Sequence, residues 1–318
     1  MREQARLART YGVHGFCFYH YWFSGRRILE RPADNFLASD IDLPFCLCWA
    51  NENWTRTWSG DTKSVLLKQD YGHGEEERFI RDLLPYLRDR RYIRVDGKPL
   101  LLIYRIKELP EPAASIQKWR QEAARAGLPG LHIAVVDFYD ISVPREVGAD
   151  ALVEFPPHKF NGPDNHPSPI PVFRNPEFAG GLLSYRKIIE QSLAKESPDF
   201  ELYRGIIPNW DNTPRRQNTS SIIVSANPDS FGAWLRYLRT YNRLVRPTDD
   251  RSLLFVNAWN EWGEGCHLEP DLRFGLQYLE QVARTSWFDA ANAPVSLGEA
   301  RAQARDALQV ADAALAIR

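Results

Sequence analysis

The segment Asn257–Glu264 reads NAWNEWGE and carries two carboxylates three residues apart, Glu261 and Glu264. In an extended strand this spacing turns the two side chains to opposite faces. On a turn or a first helical turn they converge, and Gly263 and Gly265 favour the turn. Two converging carboxyl groups beside Trp259 and Trp262 suit acid–base work. Desolvation by an indole keeps one acid protonated near neutral pH while its neighbour stays ionised. The plainer reading makes Glu264 a helix N-terminal carboxylate and Glu261 a loop acceptor. The segment Trp49–Trp54 (WANENW) repeats the theme, with Glu52 between two amides and aromatic walls. Glu52 therefore competes for the second acid–base place. His267 and Glu269 are weaker candidates, suited to support or to the surface. Arg215 and Arg216 suit a phosphate or an acidic sugar, although adjacent arginines more commonly form a solvated face.

These residues need elements to hold them. Near-continuous apolar runs mark seven strands: Val13–His20, Pro44–Glu52, Pro99–Arg105, His132–Asp137, Ala149–Phe155, Leu202–Asn209 and Ser252–Trp259. Such runs are expected of parallel strands buried on both faces. Helical periodicity intervenes over Glu75–Arg90, Ala113–Ala126, Ser184–Lys195, Asp229–Val245 and Arg273–Phe288. Asn227 and Pro228 supply an N-cap and a first-turn proline for the fourth of these. Strand–helix alternation predicts an α/β fold, a (β/α)8 TIM-type barrel. Seven strands are one short of closure, and the chain opens on a helical segment, Arg2–Tyr11. The expectation is a barrel lacking its first strand; the alternative is a fold that is not a closed barrel. Residues 1–290 are read as the catalytic barrel and 291–318 as a C-terminal helical extension, peripheral to it. Pro156–Gly181 holds seven prolines without periodicity and reads as a long loop.

Ligands of parallel α/β folds bind beyond the C-terminal strand ends. Those ends carry His20, Tyr21 and Trp22; Trp49, Asn51, Glu52 and Trp54; Tyr104 and Arg105; Asp137; Glu154 and His158; Asn209, Trp210 and Asp211; and Trp259, Asn260 and Trp262. Asp and Asn commonly mark strand termini, but the repeated Trp is not explained that way. Indole faces bordered by polar groups match the C–H faces and hydroxyl rims of sugars. His20 alone reads equally well as a satisfied strand-end histidine.

Composition narrows the classes further. Forty basic and 41 acidic residues leave a formal net charge of −1, so nothing global attracts nucleic acid or an anionic membrane. No apolar run approaches membrane-spanning length, and the charged N-terminus does not read as a signal peptide. The four cysteines, Cys17, Cys46, Cys48 and Cys266, form no metal-ligand pattern; buried, reduced thiols and a cytoplasmic location are expected. No cofactor or metal is expected.

The blocks GVHGFCFYHYWFSGRRILERP, PFCLCWANENWTRTWSG, VDGKPLLLIYR, PNWDNTPR and NAWNEWGEGCHLEPD together resemble the WbsX-type family of polysaccharide-biosynthesis proteins. That family is often labelled glycosyltransferase, yet is similar to glycoside hydrolase family 99, barrel enzymes that act as endo-α-mannosidases. The resemblance implies that Glu261 and Glu264 match the hydrolases' E-x-x-E pair. Glu261 would then act as base on the sugar 2-hydroxyl, and Glu264 as acid and later base for leaving group and water. Members of the WbsX type usually carry an aromatic-rich segment before the region where this chain starts, in keeping with the missing first strand. The expectation is an endo-type retaining hydrolase or transglycosylase of mannose-like sugars in a surface polysaccharide. A glycosyltransferase of lipopolysaccharide O-antigen biosynthesis and an inactive sugar-binding domain are the alternatives. The partner is an oligo- or polysaccharide.

Overall fold

The computed structural model describes residues 1–55, 64–72, 74–246, 249–286 and 293–316. They form two compact units. One takes in the described residues up to Val153 together with Asp199–Tyr203; the other takes in Glu154–Pro198 and the described residues from Arg204 onward.

The first unit opens with helix α1 (Arg2–Thr10), followed by strands β1 (Phe16–Phe23) and β2 (Phe45–Trp49). Helix α2 (Glu75–Leu87), strand β3 (Lys98–Ile103), helix α3 (Pro112–Arg125) and strands β4 (His132–Val136) and β5 (Ala151–Val153) follow. Neighbouring strands are parallel in the order β1, β2, β3, β4, β5. Strands β2, β4 and β5 are buried at every residue, as expected where helices cover one face and other side chains the second. Helix α2 buries Phe79, Ile80, Leu83, Tyr86 and Leu87, a stripe at helical spacing. A short antiparallel strand, Arg26–Ile28, pairs with the end of β1.

Strand β6 (Glu201–Ile206) is shared between the units. Its first half pairs with β5 through Glu201–Tyr203. Its second half, Arg204–Ile206, pairs in the second unit with β7 (Leu254–Val256). All seven expected strands are thus present, in parallel, within one or two residues of their expected starts except β1, which begins three residues later and runs on to Phe23. The second unit adds helices α4 (Tyr185–Ala194), α5 (Pro228–Val245), α6 (Gln277–Ser286) and α7 (Leu297–Ala316). Helix α4 is capped by Ser184 and α5 by Asn227, whose side chain accepts from Ser230 N at 2.9 Å. Of the helix expected over Arg273–Phe288, the first four residues form a turn instead and the last two lie outside the described residues. Residues 56–60 of the second motif block lie outside them too. In the C-terminal segment, α7 buries Ala300, Ala304, Leu308 and Ala311 and packs on α5. The proline-rich loop contains one short 3-10 turn, Pro163–Asn165, and ends in the strand Gly181–Ser184. That strand pairs in parallel with Ser221–Val224.

Two expectations are corrected by burial. Cys46, Cys48 and Cys266 are buried as expected, but Cys17 is exposed. The reason is alternation: on β1, Cys17 and Tyr19 share the open face, while His20 and Trp22 turn to the covered one. Glu154, placed among the ligand-side groups by its strand end, is instead 3% exposed and held within its own unit. Arg204 Nε reaches it at 2.8 Å, Lys195 Nζ at 2.5 Å and the Gly205 amide at 3.1 Å. Burial alone would raise its pKa, but the two cations outweigh burial and lower it.

Candidate active site

The second unit builds a carboxylate pair. After β7 the chain forms a small hairpin, in which Asn260 and Glu261 pair with His267 and Cys266. Its tip is the 3-10 turn Trp262–Glu264, closed by Gly265 at φ 58°. That left-handed value and the Asp211 backbone 3.0 Å from where a Cβ would sit both call for glycine. The tip is tied to the loop after β6 by Asp211 N donating to Glu264 O at 2.7 Å. The turn brings both glutamates onto one guanidinium. Arg215 donates through Nη2 to Glu261 at 2.5 Å and through Nη1 to Glu264 at 2.9 Å. Gly263 leaves room for that arginine, since a Cβ there would stand 2.8 Å from Arg215 Nε.

Burial pushes the Glu264 carboxyl up to about 7; Arg215 opposes the rise and the neighbouring Glu261 adds to it. Glu264 thus loses its proton near neutrality, as a general acid must. Around the pair, Glu269 accepts from the indoles of Trp259 at 3.0 Å and Trp262 at 2.8 Å. Trp262, 48% exposed, stacks on His267 with ring centroids 3.7 Å apart. His267 in turn lies 3.2 Å from Asp271. Asn209, Trp210 and Asp211 are half-buried on the loop after β6, and Asn260 is exposed. Asp211 lies just before the short helix that carries Arg215 and accepts from Thr213 N at 3.0 Å. In sequence Arg215 stands out only as half of a basic pair, and Glu269 reads as a supporting or surface group; the fold puts the first on the carboxylate pair and the second on the two indoles.

The first unit holds the other predicted residues, in two environments. On the open face, Tyr21 stacks on Trp54 at 5.8 Å, and Tyr19 meets Tyr21 at 6.1 Å and Tyr104 at 5.9 Å. Tyr104 packs edge-on to Phe138, over which the Arg105 guanidinium sits at 4.3 Å. Glu52 is 3.7 Å from Arg105 Nε. Burial raises its pKa, Arg105 opposes the rise and Glu108 adds to it. Tyr19, at the same strand end in sequence, belongs to this group because it alternates with Tyr21 on the open face. Elsewhere the predicted residues are turned inward. His20 is 3% exposed, packed against Phe79 and Tyr86 with Nε2 3.2 Å from Asp82. Trp22 and Trp49 are 1% and 3% exposed beneath α2. Asn51 is fully buried and exchanges hydrogen bonds with the Arg105 backbone at 2.7 and 2.8 Å. Asp137, also buried, directly follows β4. Among the described residues no group of three or more His, Cys, Asp or Glu side chains has the geometry to hold a metal, and no helix is long and apolar enough to cross a membrane.

Comparison with known proteins gives the chain a family and a fold. The uncharacterized protein WxcX of Xanthomonas campestris pv. campestris is 42% identical over 282 residues, covering 88% of this chain and 40% of that protein. Its counterpart in a second strain is 41% identical over the same share of each. The chain thus spans 40% of the length of the curated relatives it matches. A solved glycoside hydrolase-like protein superposes with a TM-score of 0.54 at 17% identity, over 89% of this chain and 84% of that one. The GH99 endo-alpha-mannosidase of Bacteroides thetaiotaomicron gives 0.51 at 13% identity, over 95% and 80%. These likenesses are of fold, and they make it the parallel α/β architecture of the TIM-barrel class. The family described as Glycosyltransferase WbsX matches residues 1–282, and the chain belongs to that family.

Proposed function

We propose that the chain is the catalytic part of an enzyme acting on glycosidic bonds of a surface polysaccharide, as a retaining endo-hydrolase or transglycosylase of mannose-like sugars. The observation that carries this reading is the pair Glu261 and Glu264 on one arginine, with Glu264 pushed up to about 7 by burial. Glycoside cleavage needs one carboxyl group to protonate the leaving oxygen and a second to act as base or nucleophile. Glu264 takes the first role and then, deprotonated, activates the incoming water or acceptor hydroxyl. Glu261, bound to Arg215, acts as base toward the sugar 2-hydroxyl. Trp259 and Trp262 offer indole faces beside the pair. Residues 1–290 are proposed as the catalytic region, and the cytoplasm as its compartment, on the strength of four free thiols.

A second reading, favoured by the family's description, is transfer from an activated sugar donor. The two separate in one experiment. The protein is incubated with α-mannan oligosaccharides, and in parallel with sugar nucleotides plus acceptor. Cleavage abolished by both Glu261→Gln and Glu264→Gln supports the first reading. Transfer that requires the nucleotide donor sinks it. Binding without turnover, indifferent to either substitution, leaves a sugar-binding domain.

A further inference from the structure

The open face of β1 carries a group of nucleophilic side chains that the candidate active site does not use. Strand register pairs Cys17 with Cys46, and Tyr19 with Cys48, across β1 and β2. Paired residues of a sheet point to the same face, and residues two apart along a strand share it. Cys17, Cys46 and Cys48 therefore stand together on the face that holds Tyr19. Their access to solvent differs: Cys17 is exposed, whereas Cys46 and Cys48 are buried. On the far side of Cys48 its register partner on β3 is Leu102, also buried. The inner edge of the thiol group is thus apolar.

Access, charge state and spacing suit this group to oxidation. An oxidant arriving from solvent meets Cys17 and not the other two. The S–H groups of Cys46 and Cys48 donate to the Cys17 sulfur and hold its pKa well below the usual thiol value. Sharing with Cys17 pushes Cys46 up, and burial pushes Cys48 up. The exposed thiol is therefore the one held as thiolate, the form that attacks an electrophile. Spacing then selects its partner. Neighbouring strands lie about 4.7–4.9 Å apart, within the Cα separation of roughly 4.4–6.8 Å that a disulfide spans. Cys46 is the direct register partner of Cys17 and meets that condition. Cys48 is offset by two residues, which puts its Cα about 8 Å away, beyond the reach of a bridge without backbone movement.

We propose that Cys17 is a site of oxidation by hydroperoxides, with Cys46 as the thiol that resolves it to a disulfide joining β1 to β2. With hydrogen peroxide, the Cys17 thiolate attacks one oxygen and the O–O bond breaks. Cys17 becomes a sulfenic acid, and the departing hydroxide takes a proton and leaves as water. The Cys46 sulfur then attacks the Cys17 sulfur and displaces its hydroxyl, which leaves with the Cys46 proton as a second water. The two thiols together give up two electrons, and the peroxide accepts them. A transient bridge of this kind is compatible with an otherwise reducing compartment. The site is independent of the acid–base roles of Glu261 and Glu264, which lie in the other unit.

The test treats the reduced chain with a small excess of hydrogen peroxide, then denatures it, alkylates the remaining thiols with N-ethylmaleimide and maps them by mass spectrometry. A parallel sample contains dimedone, which traps sulfenic acid. Expected is the loss of two of the four thiols, Cys17 and Cys46, in one disulfide within the chain that dithiothreitol reverses. Cys48 and Cys266 remain alkylated. Cys17→Ser, at an exposed position, keeps all its remaining thiols. In Cys46→Ala, Cys17 gives a dimedone adduct and no bridge; in Cys48→Ala the bridge still forms. Thermal melts show which variants are folded, and the map of the parent decides without them. Thiols left intact by a peroxide exposure that consumes free cysteine, a dimedone adduct without a bridge in the parent, a bridge from Cys17 to Cys48, or disulfide-linked dimers would each overturn the proposal.

Discussion

Arg215 joins the two carboxylates of the candidate acid–base pair, and two predictions belong to the residue scale. Glu264 titrates at about 7 because burial outweighs the guanidinium 2.9 Å away. Turnover should therefore fall as pH rises through about 7, where the acid loses its proton. Removing the guanidinium removes the opposing influence, so Arg215→Ala should move this basic limb upward while lowering the rate. A pH–rate profile whose limb stays in place would refute that assignment. Glu264→Gln should cost about 10²- to 10⁴-fold in turnover and abolish the limb. The second prediction concerns stability. The folded pKa of about 7 exceeds the ordinary 4.5, so the folded state holds an extra proton between those values. This group's contribution is full below about pH 4.5 and is lost as pH rises toward 7. Thermal melting from about pH 4 to pH 8 should show that loss in the parent and a smaller one in Glu264→Gln.

At the scale of elements, strand β6 is fixed by what lies beside it. A Cβ at Gly205 would stand 2.3 Å from Glu154 O and 2.8 Å from Pro156 Cδ, neither of which can swing away. Gly205→Ala should cost on the order of 3 kcal/mol or prevent folding. Gly97 offers the control, with no atom near its added Cβ but a φ of 75°; Gly97→Ala should cost only about 1–2 kcal/mol. Urea unfolding curves for the pair would decide, and equal losses would discount the steric account. The elements themselves were legible because each parallel strand is a compact apolar run between turn signals, and because Asn227–Pro228 is a strong helix start. Facing was not legible. On β1, His20 and Trp22 read like Tyr21 from sequence, since all three are aromatic and lie at the same strand end. Only the packing of Phe79 against one face separates them.

For the molecule as a whole, charge is nearly balanced at −1. With a neutral oligosaccharide, kcat/KM should change less than about twofold between low and physiological salt, because no net field steers the encounter. A steep salt dependence would instead favour an anionic substrate such as a sugar nucleotide. The position of the carboxylate pair was readable from residue types alone. The arginine joining it was not, because Arg215 and Glu261 are far apart in sequence and only the hairpin fold after β7 brings them together. The open face of β1 also has a practical consequence. With Cys46, Cys48 and Cys266 buried and Cys17 exposed, a maleimide dye should attach to the native protein at one position. Mass spectrometry would show a single adduct, and four only after denaturation. That adduct would sit two residues from Tyr19, so its fluorescence becomes an optical reporter beside the Tyr21–Trp54 aromatic group, with no residue added to the chain.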